Sequence, residues 1–346
     1  MFRYNLFWLL CLFPMALLGN EAEDFTSKLE AHHWLKDLSG DDWVLQSVAL
    51  EELGKRKVES ALPLIREILR EGKSSWMRGQ AMMALGKISG KEIIPLARKA
   101  TREDDPILRI SAIRTLELVG GGDSSELALA LMKDPVTEVR AMAAALYAKQ
   151  FPAQAWPTVE SLTRMGSGSI SSGLLRALAH VGTPEALARL NDLFLESNGT
   201  GERPGKIIKA LGSADDRAIE LLASLTIRFP AQSAEFQLGS KLLNERARSK
   251  TSPVLKSLIE KDDPAGLAGA AALLAEVCPT RRMGDLLSKS WTERNIPLDA
   301  VRAGMIALSR IDPVRYESFF NKRLASEDIP TRALAVSCRA LVPDRG

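Results

Sequence analysis

One string recurs along this chain about every 32 residues, and a period of that size restricts the fold more than composition or any single motif does. A polar residue is followed three places on by a small one and seven places on by an apolar one. The copies run Gln46, Ala49, Leu53; Arg78, Ala81, Leu85; Arg109, Ala112, Leu116; and Arg140, Ala143, Tyr147. The frame continues with more apolar openings at Leu174, Pro204, Phe236, Leu267, Val301 and Thr331. Ala and Leu crowd these copies while aromatics make up only 5% of the chain, which favours helices over the Val-, Thr- and Tyr-rich strands of a sandwich or barrel.

The spacing i, i+3, i+7 places three residues on one helix face, and small residues there let a neighbouring helix approach. Gly54, Gly86, Gly182 and Gly212 follow the apolar position and are predicted to close the first helix with a left-handed cap. A second amphipathic segment comes next, as in Leu62-Leu64-Ile65-Ile68-Leu69 or Leu187-Leu190-Leu193. Pro106, Pro135, Pro264 and Pro330 lie at or near the start of a unit, where proline is tolerated, and Asp105 and Asp134 add a carboxylate to the helix dipole. Each unit therefore reads helix, turn, helix. A single hairpin has too little interior to stand alone, so the copies must stack and bury their stripes between layers, giving a curved rod.

Units such as Asp134-Pro135 followed by Val139-Arg140-Ala141-Met142-Ala143 resemble short HEAT repeats of the kind that also occurs in phycobilin lyase subunits. The likeness spans nearly all of the chain after residue 41, most strongly over 41–150 and most weakly over 200–250. It implies an all-α solenoid, a superhelix of about ten HEAT-like hairpins over residues 41–346. It also implies an alternative role as a lyase-like or lyase-accessory protein.

The start of the chain differs from the rest. Arg3 precedes the apolar run Leu6–Leu18, and Glu21, Glu23 and Asp24 follow. That order matches a signal peptide over residues 1–20, with cleavage near Gly19 or Ala22 and export to a periplasmic or extracellular space. The run falls short of the ~20 residues that span a bilayer, which favours cleavage over the alternative of an uncleaved anchor, and no later segment is long and apolar enough to cross one. Residues 21–40, with Phe25, Leu29, Leu35 and Leu38, are predicted to form a helix that caps the first repeat. Cys278 and Cys338 fall about two repeats apart, roughly 20 Å at ~8–10 Å per layer, so no disulfide is expected.

Candidate sites are few. Arg78, Arg109 and Arg140 share one register and are predicted to be a structural ladder that meets acidic loop residues such as Asp105 and Asp134. The second helices of such solenoids line the concave surface, and here they carry Arg66, Arg70, Arg98, Lys99, Arg102, Arg189, Arg281 and Arg282. Those residues could hold an anionic peptide, lipid head group or polysaccharide. Glu59, Glu67 and Glu71 share the same stretches, and a mixed solvated face is the expected reading. The tryptophans are expected to pack at repeat junctions, and Gly166-Ser167-Gly168-Ser169 to form an inter-helix turn.

There is no G-x-S-x-G, P-loop, G-x-G-x-x-G or Cys/His ligand cluster, and His32, His33 and His180 have no i, i+4 spacing, so no catalytic residue, metal or cofactor is assigned. Lys+Arg of 46 against Asp+Glu of 43 makes no basic field of the kind that draws nucleic acid, which leaves a HEAT-like nucleic-acid binder or base-excision enzyme as the weakest alternative. The sequence thus points to an exported, non-catalytic scaffold whose partner is a protein or an envelope polymer.

Overall fold

A computed structural model of the chain describes residues 31–72, 74–120, 124–164, 171–246, 248–260, 264–292 and 296–342. The expected leader, the front of the capping helix and the Gly166–Ser169 turn lie outside the described residues. A helical stretch covers 31–38, and every other element among the described residues is a helix or a turn. By its contacts the chain divides into two compact units, residues 1–128 and 129–346.

Unit 1 alternates first and second helices: α1 (Trp43–Lys55) and α2 (Leu62–Glu71), α3 (Ser75–Ser89) and α4 (Ile94–Ala100), then α5 (Pro106–Val119) and α6 (Ser125–Leu131), in which the division falls. Unit 2 continues with α7 (Thr137–Ala148) and α8 (Pro152–Arg164), α9 (Ser172–Val181) and α10 (Pro184–Glu196), α11 (Arg203–Ser213) and α12 (Ile219–Thr226). It ends with α13 (Ala234–Asn244) and α14 (Arg248–Glu260), α15 (Pro264–Val277) and α16 (Arg281–Thr292), α17 (Leu298–Ile311) and α18 (Glu317–Asn321), and the unpaired α19 (Ile329–Ala340). The architecture is the helical solenoid that the period predicts.

Local chemistry sets the helix starts. Asp42, Ser74, Asp105, Ser171, Ser233 and Asp328 each cap a first helix by accepting backbone N–H bonds in its first turn, and Pro106 and Pro330 occupy that turn without loss of a needed donor. The Asp105 carboxyl is held below its ordinary range, chiefly by the Ser75 hydroxyl and next by the Ile107 amide, so this cap also ties α5 to α3. Asp328 is lowered likewise, first by Thr331 and also by Arg302 of α17, which it meets at 3.0 Å.

The repeated small and apolar positions form the core as expected: Ala49, Ala81, Ala112, Ala143 and Ala177 are fully buried, with Leu53, Leu85 and Leu116 beside them. The glycine expectation holds only in part. Gly182 ends α9 in the left-handed region at φ 61°, but Gly54 and Gly86 lie inside their helices. A Cβ on Gly54 would come 3.3 Å from the Ala84 Cα, and one on Gly86 2.9 Å from the Thr115 Cγ2. These two glycines serve close approach of the next first helix, not helix termination.

The phase of the repeat differs from the sequence reading in unit 1 and in the last layers of unit 2, whereas α7 with α8 and α9 with α10 keep the predicted pairing. In unit 1, α2 nests on α3 and α4 on α5, so a second helix pairs with the first helix that follows it; α14 on α15, α16 on α17 and α18 on α19 repeat this in unit 2. First helices pack directly on one another, α1 on α3 on α5 in unit 1 and α7 through α19 in an unbroken row in unit 2. Second helices pack much less on each other, with α10, α12, α14 and α16 forming their main run. Within each unit the layers therefore converge on the first-helix side and open on the second-helix side. Cys278 and Cys338 are free and buried.

Candidate interaction surfaces

The three arginines of the register all bond backbone carbonyls, and the Arg109 charge also helps to lower the Asp105 carboxyl. Arg78 Nε donates to the Leu69 carbonyl at 3.0 Å; Arg109 Nη1 donates to the carbonyls of Glu103 and Asp104 at 2.9 and 2.8 Å; Arg140 Nη1 donates to those of Asp134 and Pro135 at 2.8 and 3.0 Å. Each guanidinium thus gathers the carbonyls left over where the preceding second helix or its turn ends. Gln46 makes the same clamp on Leu38 and Gly40, and Gln237 and Arg332, one place out of register, make it on Ala231 and Ser326. Both reach back six residues, as Arg109 and Arg140 do, so sequence comparison missed them only because its frame was set by the small and apolar positions one place earlier.

Of the eight basic residues expected on a concave face, five lie in unit 1 and three in unit 2. All sit on or just after second helices, the side on which the layers open. Arg66, Arg70 and Lys99 come together in unit 1, around a recess of about 340 Å3 between α2 and α4 whose floor includes Leu69, Met82 and Leu108. Arg98 and Arg102 are exposed outside it. In unit 2, Arg189 is engaged with Glu196 and Arg281 with Asp312, both at 3.0 Å, and Arg282 is exposed.

One repeat earlier, a matching recess of about 350 Å3 lies between the end of the 31–38 helix and α2, over Leu38, Leu64, Ile68 and Met77. Its charged lining among the described residues is acidic: Asp41, Glu67 and Glu71. The face of α2 that reads as mixed in sequence is two stripes, Arg66 and Arg70 on one side and Glu67 and Glu71 on the other, each at i, i+4. That spacing was visible in the sequence and could have revealed the division. Trp43, 63% exposed, stands at the acidic recess and meets Trp76 of the next first helix edge to face at 5.9 Å, so these two indoles pack at a repeat junction as expected while staying open to solvent.

Unit 2 has a larger groove, about 570 Å3, on its first-helix side. Ala268, Ala272 and Ala275 of α15 form a low floor between α13 and α17, and Phe229 and Ile306 supply apolar walls. The floor is low because α15 carries Gly and Ala where its neighbours carry larger side chains. It is held down at Gly269, where a Cβ would lie 2.7 Å from the Ile227 carbonyl carbon. Arg310 and Glu276 pair at 3.0 Å across the rim, and Arg302 reaches Asp328 at 3.0 Å. Such a groove offers apolar contact with a charged border, the anatomy of a protein interface.

Residues 31–117 match the family model described as HEAT repeats. The narrower likeness to phycobilin lyase repeats is not shown by that match. No curated protein matches the chain. Similar solved structures include an engineered protein, at 15% identity over 90% of this chain and 98% of that one with a TM-score of 0.32. Others are the Mot1 N-terminal domain in complex with TBP, at 14% identity, 89% and 53% coverage and a TM-score of 0.33, and Kap121p, at 10%, 94% and 46% with 0.31. The chain spans about half the length of the last two.

Proposed function

We propose that the chain is an exported, non-catalytic scaffold that binds a protein or envelope-polymer segment in the first-helix groove of unit 2. The groove carries this reading: its small-residue floor leaves room for a partner's side chains, and its volume of about 570 Å3 falls within the range of built binding sites. A photo-crosslinking residue at Ala272 is expected to couple to an envelope component. Ala272→Arg, which fills the floor with a long cation, should reduce recovery of that component at least ~tenfold, as loss of a central interface contact does. The same changes at exposed Lys256 on α14 should have no effect. Equal recovery from both positions would remove the groove from consideration.

Export is supported by the order of Arg3, the Leu6–Leu18 run and the acidic residues from Glu21 onward. Intact mass of the native protein is expected to show a chain that begins near residue 20 to 23 in an envelope or medium fraction. A Met1 chain in the cytosol would refute export and return the lyase-like and nucleic-acid readings to contention.

A further inference from the structure

The two recesses of unit 1 occupy the same place in consecutive repeats. Gln46 in the first corresponds to Arg78 in the second, Leu64 to Leu96, Glu67 to Lys99, and Ile68 to Ala100. Both open because neighbouring second-helix layers stand apart, and both have apolar floors. They differ in charge: the first is rimmed by Asp41, Glu67 and Glu71, the second by Arg66, Arg70 and Lys99 with Glu103 opposed. Uniform solvation needs no such reversal at one repeated position.

We propose that this pair of recesses docks a single segment of a partner protein whose charge reverses along its length. Its cationic, apolar-anchored part lies over the acidic recess, and its anionic part lies over the basic one. The apolar floors supply contact area, and the rims set direction and register. Trp43 offers a ring face to a Lys or Arg side chain entering the acidic recess. Helix layers lie ~8–10 Å apart and an extended chain rises ~3.3 Å per residue, so the sign should change about three residues along the segment. The Arg70–Glu71 pair, 2.9 Å long and with side chains 75% and 61% exposed, joins the two rims and exchanges readily for partner charges. The chain's own first residues are a poor occupant, because Arg3, their only basic side chain before Glu21, Glu23 and Asp24, lies 18 residues from the first of these, far beyond the spacing of the two recesses.

This proposal rests on the protein-binding reading but uses a different surface, so the two can fail separately. Calorimetry at low salt on the full chain would compare two neutral peptides of equal Leu, Lys and Glu content, one with the charges in blocks and one with them alternating. The blocked peptide is expected to bind about fivefold more tightly, the sum of a few exposed ion pairs, and to shield Trp43 from hydroxyl-radical footprinting. Glu67→Lys with Glu71→Lys, both at exposed positions, should erase that preference and make an all-acidic peptide the tightest ligand. Equal affinity for the two neutral peptides, or a preference that survives the double substitution, overturns the proposal even if the Ala272→Arg effect stands. So does a Trp43 already shielded in the free chain. Shielding that survives dilution would identify residues 1–30 as the occupant, and shielding lost on dilution would identify a second copy.

Discussion

Trp291→Ala should destabilise unit 2 by about 3–5 kcal/mol, the usual cost of removing a large buried aromatic ring. Trp291 closes α16 and is 1% exposed, and its ring lies so close to α17 that a Cβ on Gly304 would come 2.9 Å from Cζ3. Truncation leaves a cavity between two helices whose backbones already touch its walls, so little collapse can fill it. Hydrogen exchange should show α16 and α17 losing protection first, because stability in a stacked array is carried by neighbouring layers. The urea midpoint should fall with it. Trp291→Phe should cost much less, since the indole N–H has no hydrogen-bond partner among the described residues and its removal relieves a buried donor. Unaltered exchange in α16 and α17 of the alanine variant would show that the ring does not join these layers.

Arg109→Met is expected to cost about 2–3 kcal/mol, because it strips two backbone carbonyls of a charged donor in a site that is nearly closed to water. Arg109 is 9% exposed, and its Nη1 serves Glu103 and Asp104, where α4 gives way to the turn before α5. The methionine preserves most of the aliphatic stem, so the loss reports the guanidinium and not the packing. Arg109→Lys should recover only part of it, since an ammonium lacks the planar fork that holds Nη1 at both carbonyls. Thermal unfolding of the three proteins measures the order Arg, Lys, Met; a lysine variant no better than methionine would mean that charge at this register is worth little without the fork.

The candidate surfaces were less legible than the fold. The residues of the basic recess were named from the sequence, but the recess that gathers Arg66, Arg70 and Lys99 was not, because it forms between two layers. The acidic recess was dismissed as solvation although Glu67 and Glu71 carry the same i, i+4 signal as Arg66 and Arg70. The unit 2 groove could not be seen at all. An Ala-rich helix such as α15 reads in sequence as a well-buried core element, and only its lower height beside α13 and α17 turns Ala268, Ala272 and Ala275 into a floor.

By itself the sequence determined the helix class, the period of about 32 residues, the helix start at Asp105-Pro106 and the buried identity of Ala49, Ala81 and Ala112. Each of these depends on interactions within a few residues or on a face that any helix must have. Tertiary structure decided the phase of the repeat, because a period is unchanged by sliding the frame half a unit and only packing shows that α2 belongs with α3. It also decided the use of Gly54 and Gly86, which a local rule assigns to helix ends and the neighbouring helix claims for close approach. Which side of each layer opens is a difference between two interhelical spacings, and no residue encodes that difference alone.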